Sequence, residues 1–199
     1  MTDAAARIGT LQRIALKIFL DEETVLDPRD VIPVFHRWIQ TSAVDGLLID
    51  VADYSHMTSG PSVLLATHEG YYAIEQSGGR LGLQYARRAD QEGELADRLH
   101  AAARTLVKAG RLLETNDTLD GRVRFRGDQL ECLANDRLRA PNRGETMEAF
   151  RPTFERLLST MGPDDDWSLT QEIDERERFS VLATSDSGAA LDLLEARLR

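Results

Sequence analysis

Alternating apolar and polar positions predict β-strands in the first half of the chain. Around Ile14, Leu16 and Ile18 the apolar residues recur with period two, which is typical of a strand. The connections at 68–70 and 77–79 are rich in glycine and suit hairpins. Five segments are predicted as strands on these grounds: 12–20, 46–54, 63–67, 71–75 and 80–87. The pattern as a whole predicts an antiparallel meander.

Apolar residues three or four positions apart predict helices over 31–42, 93–114 and 150–161, and a terminal helix carries Leu191, Leu194 and Leu198. Pro152 falls early in the third of these helices. Two further short strands are expected at about 167–173 and 178–184. The apolar parity changes between Phe125 and Leu130, which predicts a hairpin or a bulge at Gly127-Asp128.

These elements predict an α+β fold, with a mostly antiparallel or mixed sheet and amphipathic helices packed on one face. A single domain over 1–199 is expected, with possible halves 12–114 and 122–199 on either side of the polar segment 115–121. Residues 31–39 and 150–158 share proline, phenylalanine and arginine in register. If this similarity reflects a duplication, it predicts two pseudo-repeated β-α-β-β units; three matches in nine positions can also arise by chance in an arginine-rich chain.

Charge narrows the choice of partners. The chain has 34 acidic and 24 basic side chains and a formal charge of −10 at pH 7, so it repels phosphate backbones and anionic lipid surfaces. We expect no nucleic-acid partner and no membrane partner. The lone Cys132 permits no intrachain disulfide and fits a reducing cytoplasm. Since 1–20 lacks the apolar core of a signal peptide, we expect a cytoplasmic protein.

Motifs for phosphate binding and covalent catalysis are missing from the sequence. Neither lysine follows a glycine, which a P-loop requires, and the glycines at 78–82 precede no predicted helix, which a dinucleotide fingerprint requires. No Gly-x-Ser-x-Gly elbow is present. Cys132 alternates with Leu130 and Ala134, which favours a core position over a nucleophile. No cofactor is predicted.

Two local acid–imidazole pairs, Asp53 with His56 and His68 with Glu69, could bind a metal ion or transfer protons. The predicted hairpin of the second and third strands places His56 at its turn and His68 at its opposite end. A strand of six residues spans about 20 Å, so the two histidines should not meet within one chain. No metal site is predicted.

The second face of the meander is the more informative pattern. If Leu47, Ile49 and Val51 face the helices, alternation places a mixed set rich in small residues on the other side. This composition suits a wet dimer interface or a shallow ligand cleft. Asp50, within an apolar run, is expected to be partly desolvated. The mixed set is Asp50, Ala52, Tyr54, Leu64, Ala66, His68, Gly82, Gln84 and Ala86.

Three stretches, 34–39, 45–54 and 135–142, resemble a family of small, functionally uncharacterised bacterial proteins. The resemblance implies a bacterial origin and one intact unit, and it carries over no functional residue.

The residues themselves favour a non-catalytic module that binds a protein partner or a small ligand and self-associates as a homodimer through the mixed face. The alternative is a small acid–base enzyme or hydrolase built around Asp50, Tyr54, His68 and Glu69. Candidate ligand-binding or interface residues are Asp50, Tyr54, His56, His68, Glu69 and Gln84.

Overall fold

The computed structural model describes residues 3–162 and 166–199 and shows eight strands in one antiparallel sheet. In spatial order the sheet runs β2-β3-β4-β5-β1-β6-β8-β7. The predicted α+β class and the predicted meander are confirmed. The strands are β1 (Ile14–Leu20), β2 (Leu48–Asp53), β3 (Pro61–Thr67), β4 (Gly70–Glu75), β5 (Gly82–Arg87), β6 (Phe125–Ala134), β7 (Trp167–Thr170) and β8 (Ser180–Ser185).

Helices connect the strands and cover one face of the sheet. They are α1 (Asp3–Gly9), α2 (Ile32–Thr41), α3 (Leu95–Glu114), α4 (Gly144–Met161) and α5 (Leu191–Arg197), with short 3₁₀ turns at Pro28–Val31, Ser77–Gly79 and Asp117–Leu119. Helix α3 packs on β1 and β5, as its apolar stripe predicts. Its start is fixed by a capping box in which the carboxylates of Glu94 and Asp97 each accept a backbone N–H.

Strand β1 is the centre of the sheet, and all seven of its residues are buried. It pairs with β5 on one side and with β6 on the other, so the two predicted halves share one continuous sheet. Each half starts with a central strand, continues through a helix, and then reaches an edge strand, β2 or β7. The first half has two more strands, β4 and β5, between its hairpin and the centre.

The parity change near Gly127 is a bulge within one long strand. Between Ile18 and Leu20 of β1, the paired residue on β6 moves from Leu130 to Phe125, so β6 carries extra residues there. The bulge brings Gly127 against the chain before α5. A Cβ built on Gly127 would lie 1.8 Å from the carbonyl oxygen of Ala189.

Two helix predictions need correction. Helix α4 begins at Gly144 rather than at 150, so Pro152 lies in its interior and not early in it. The sequence pattern also missed α1, a short alanine-rich helix that packs on α4. Seven residues with a single buried side chain, Ile8, give too little periodicity to be recognised.

We expect Gly127→Ala to destabilise the protein by about 1–3 kcal/mol, because a methyl group would meet backbone that has no rotamer to adjust. The melting temperature, measured by circular dichroism, should fall by about 3–10 °C. Gly144→Ala is the matched control, since its Cβ would meet nothing within 4 Å, and it should change stability by less than about 0.5 kcal/mol. Equal effects of the two substitutions would contradict this packing.

Candidate functional site

Strand pairing defines a second sheet face that points away from the main core. Lys17 on β1 lies opposite Gln84 on β5 and Glu131 on β6, and Gln84 lies opposite Ala73 on β4. Residues paired in register point to the same side of a sheet, so these four side chains share one face. We call it the Lys17 face.

A buried ion pair organises the Lys17 face. The Lys17 ammonium donates to Glu75 Oε2 at 2.5 Å and to the carbonyl oxygen of Arg80 at 2.7 Å. The Lys17 side chain is 1% exposed and the Glu75 side chain 6%. The other oxygen of Glu75 accepts the Ser77 backbone N–H at 2.9 Å and the Ser77 hydroxyl. Two strands and the β4–β5 connection are thereby joined through one charged cluster.

The β4–β5 connection folds over the central strand to bury this pair. The Arg80 guanidinium lies 3.8 Å from the ring centroid of Phe19 and donates to the side-chain oxygen of Gln129 on β6. Gly78 and Gly79 take φ values of 67° and 70°, which glycine adopts without a Cβ penalty, and so allow the tight turn. The connection thus covers Lys17 and lines one side of the cavity next to it.

Charge and hydrogen bonding set the protonation state of Glu75. Burial by itself raises the pKa of this carboxyl group, but the hydrogen bonds from Lys17 and Ser77 and the charge of Lys17 outweigh burial. The net result is a pKa below the ordinary value of 4.5. Glu75 is therefore ionised at neutral pH.

The first of two adjoining cavities lies beside this pair and has a volume of about 200 Å³; we call it the Gln84 cavity. Gln84 is only 5% exposed, and its Oε1 accepts the Tyr71 hydroxyl at 3.3 Å. Within the described part of the chain, the Nε2 of Gln84 has no hydrogen-bond partner. Gln84 therefore lines this cavity with an amide donor that no acceptor among the described residues uses. The remaining polar lining comes from Glu75, Ser77, Glu131 and Arg178.

A second cavity of about 460 Å³ adjoins the first and shares Ser77, Glu131, Leu133 and Arg178 with it; we call it the Asn142 cavity. The two cavities together are called the cleft. Its additional lining consists of Asn142, Thr170, Glu172, Asp174, Glu177, Ser180 and Leu182.

Asn142 holds the acidic wall of the second cavity in place. Its Nδ2 donates to the carbonyl oxygens of Glu172 at 2.9 Å and Asp174 at 3.0 Å, while its Oδ1 accepts from Gln171 at 2.7 Å. Asn142 is buried. The segment that follows β7 is thereby fixed against the chain that precedes α4.

Of the six candidates from the sequence, Gln84 lines the cleft. The other five belong to the edge hairpin of β2 and β3 and its flanking turns, and they line neither cavity of the cleft. His68 Nδ1 lies 4.0 Å from Glu69 Oε1, and both lie at the end of the hairpin opposite His56. The predicted separation of the two histidines is confirmed. Tyr54 is exposed and donates its backbone N–H to Ser62.

The expected environment of Leu47, Ile49 and Asp50 is wrong, whereas Val51 packs against the core as expected. Leu47 and Ile49 are 66% and 59% exposed rather than turned to the core, and Asp50 is exposed rather than desolvated. A bulge is the reason: Leu48 pairs with Thr67 but Asp50 pairs with Ala66, which leaves Ile49 as an extra residue. As an edge strand, β2 also lacks a neighbour that would cover it. Asp50 still shares the side of Ala66, as the alternation predicts.

Sequence reasoning missed the buried pair of Lys17 and Glu75, and it missed Glu131 and Arg178, the charged residues that line both cavities of the cleft. The available signal was Lys17 itself, one of two lysines in the chain and placed in the middle of an otherwise apolar strand. Cys132 is buried as predicted, and burial raises the pKa of its thiol far above the ordinary value, which agrees with a core role.

Comparison with known proteins assigns the chain to no family. No protein-family model matches the sequence, and no curated protein matches it. Among residues 3–162 and 166–199, no cluster of three or more histidine, cysteine, aspartate or glutamate side chains is arranged to hold a metal ion. Over the same residues, no helix combines the length and apolar character needed to cross a membrane.

Removing either partner of the buried pair of Lys17 and Glu75 should strongly lower the stability of the fold. We expect Lys17→Met or Glu75→Met to lower the free energy of unfolding by about 3–5 kcal/mol, since each leaves an uncompensated buried charge. The double variant should be more stable than either single variant. Arg151→Met, which removes a half-exposed ion pair with Glu155, is the control and should cost less than about 1 kcal/mol. Additive losses in urea titrations would contradict this coupling.

The pair should also make stability depend on pH in acid. Because the pKa of Glu75 is lower folded than unfolded, its ionised form stabilises the protein fully above about pH 4.5 and ceases to do so as pH falls through the folded pKa. The difference in unfolding free energy between wild type and Glu75→Gln should therefore be largest near pH 7 and shrink below pH 4.5. A difference that stays constant down to pH 3 would contradict the assignment.

Proposed function

We propose that the protein is a non-catalytic binding module that holds a small polar ligand in the cleft on the Lys17 face. The observation that carries the proposal is the side-chain amide of Gln84, nearly buried in a cavity of about 200 Å³ with its donor unused. A donor that opens on a cavity and has no acceptor among the described residues can bind a ligand that supplies one. The rigid pair of Lys17 and Glu75 beside it keeps the cavity polar and fixed in shape.

The geometry supports binding better than the alternative of acid–base catalysis. Asp50, Tyr54, His68 and Glu69 lie along an edge hairpin, with Tyr54 near one end and His68 near the other. Groups that transfer protons in one reaction need to be within hydrogen-bond reach of the same substrate. A cleft on a rigid sheet, by contrast, suits a ligand held in one orientation.

The cellular setting belongs to the proposal as well. A formal charge of −10 supports a partner other than nucleic acid or an anionic membrane. The lone, buried Cys132 and the net negative charge fit the cytoplasm of a bacterium, which is where we propose that the protein acts.

Self-association is a second part of the proposal, and a specific observation favours it. Large exposed apolar side chains lie on β2 and the turns next to it. Strand β2 is the edge strand of the sheet, so its outer side has no neighbouring strand. These are Leu47, Ile49, Tyr54 and Met57. An exposed apolar edge strand is a template for pairing with another chain. We propose a homodimer in which this hairpin meets its copy, next to the mixed face.

Ligand retention tests the binding proposal. Native mass spectrometry of freshly purified protein should show a bound small molecule, and Gln84→Met should lose most of it, because the variant keeps the volume but removes the amide. Gln40→Met is the matched control: Gln40 is exposed on α2, and its variant should retain the ligand. Equal retention by the two variants, or no bound molecule and no stabilisation by any metabolite in a thermal-shift screen, would refute a binding role.

Light scattering tests the dimer. We expect wild type to elute with twice the mass of the chain and Ile49→Lys to elute as a monomer, because a charge at the edge opposes strand pairing. Val25→Lys, at an exposed apolar residue outside the hairpin, should remain a dimer. A monomeric wild type at all accessible concentrations would exclude self-association and leave the cleft unaffected.

A further inference from the structure

We infer that the cleft takes a small zwitterion of the basic amino acid class, with its carboxylate at Gln84 and Arg178 and its ammonium group at Glu131. The inference rests on the proposed function and adds the chemistry of the ligand. Three independent features of the cleft support it: a carboxylate without a cation, a pair of free donors, and an acidic far wall.

Glu131 lines both cavities and lacks a cationic partner. It lies in register with Lys17 on the neighbouring strand, yet the Lys17 ammonium turns the other way and binds Glu75, two strands from β1. The side chain of Glu131 accepts one hydrogen bond from the protein, from the Ser180 hydroxyl at 2.7 Å. Within the described residues no lysine, arginine or histidine nitrogen lies within 4.0 Å of it. A half-buried carboxylate of this kind suits a protonated amine.

Donors face the same space from the other side. Gln84 lines the Gln84 cavity and its Nε2 has no acceptor among the described residues, and Arg178 lines both cavities. Arg178 uses one of its five N–H groups on Asn135 Oδ1 at 2.7 Å, which leaves others for a ligand. An amide donor and a guanidinium side by side recognise a carboxylate. Donors and acceptor within one cavity of about 200 Å³ therefore match the two ends of an α-amino acid.

The Asn142 cavity adds a preference for a second positive charge. Its lining contains the carboxylates of Glu131, Glu172, Asp174 and Glu177 against the single guanidinium of Arg178. Asn142 is buried and binds the backbone of this acidic segment, so the wall is held in position. A side chain that extends from the first cavity into the second would meet a negative potential. Lysine and arginine are amino acids with such a side chain.

The inference is tested by isothermal titration calorimetry of the full chain with three probes. We expect L-lysine to bind; cadaverine, which is lysine without its carboxylate, to bind at least about tenfold more weakly; and L-glutamate to show no binding, because the charge of its side chain is reversed. Cadaverine binding as tightly as lysine would remove the role of Gln84 and Arg178. Tighter binding of glutamate, or no binding of lysine, would overturn the proposed class.

Substitution of Glu131 tests whether its carboxylate binds the ammonium group of the ligand. Glu131→Gln keeps an acceptor for Ser180 but loses the charge, and it should weaken lysine binding by about tenfold or more. Glu92→Gln, at an exposed glutamate outside the cleft lining, should leave the affinity unchanged. Equal affinities of the two variants would overturn the inference. A copurified ligand that is lost in Gln84→Met but is not a zwitterion would overturn this inference and support the proposed function.

Discussion

The ionic contact between Lys17 and Glu75 is the constraint on which the Lys17 face depends. Helices cover one side of the sheet, so the central strand can bury its second side only if something else covers it. The β4–β5 connection does so by folding across β1, and Lys17 holds it there through Glu75 and the carbonyl oxygen of Arg80. A buried charge is tolerated only when it is paired and hydrogen-bonded, and this cluster meets both conditions.

The same contact determines which polar groups of the cleft remain available to a ligand. Because the Lys17 ammonium is committed to Glu75, Glu131 on the other side of β1 has no cation within 4.0 Å in the described part of the chain. Gln84, on β5 between β4 and β1, is nearly buried, and its Oε1 accepts the Tyr71 hydroxyl. Its Nε2 has no acceptor among the described residues. The binding chemistry of the cleft thus follows from the direction in which one lysine side chain points. A lysine turned towards Glu131 would instead leave Glu75 without a cation.

Much of this fold could be predicted from the sequence, since periodic apolar residues decide which segments are strands and helices. The meander, α3 and the bulge near Gly127 were predictable for this reason. The environment of β2 was not, because one bulged residue, Ile49, reverses the alternation and because strand order is a tertiary property. Of the cleft, Gln84 was predictable from alternation alone. Glu131 and Arg178 were not, since they come from distant strands and loops that the sheet brings together.

The acidic side chains of the protein differ in whether a cation lies next to them in the fold. Several carboxylates are neutralised by arginines, such as Asp128, whose pKa is lowered chiefly by hydrogen bonds from Arg126. Among the acids that line the cleft, Glu75 is paired with Lys17, whereas Glu131, Glu172 and Glu177 have no cation within 4.0 Å in the described part of the chain. In the proposed function, the net negative charge that opposes binding to nucleic acid also favours a positively charged ligand.

The most direct test of this account is the nuclear magnetic resonance signal of the Gln84 side-chain amide in protein labelled with ¹⁵N-glutamine. On addition of L-lysine, the Nε2 protons of Gln84 should shift downfield as they bind the carboxylate, while those of the exposed Gln40 stay in place. A Gln84 signal that does not move while lysine binds elsewhere, or that moves no more than the Gln40 signal, would contradict the central claim that the Lys17 face is a ligand site.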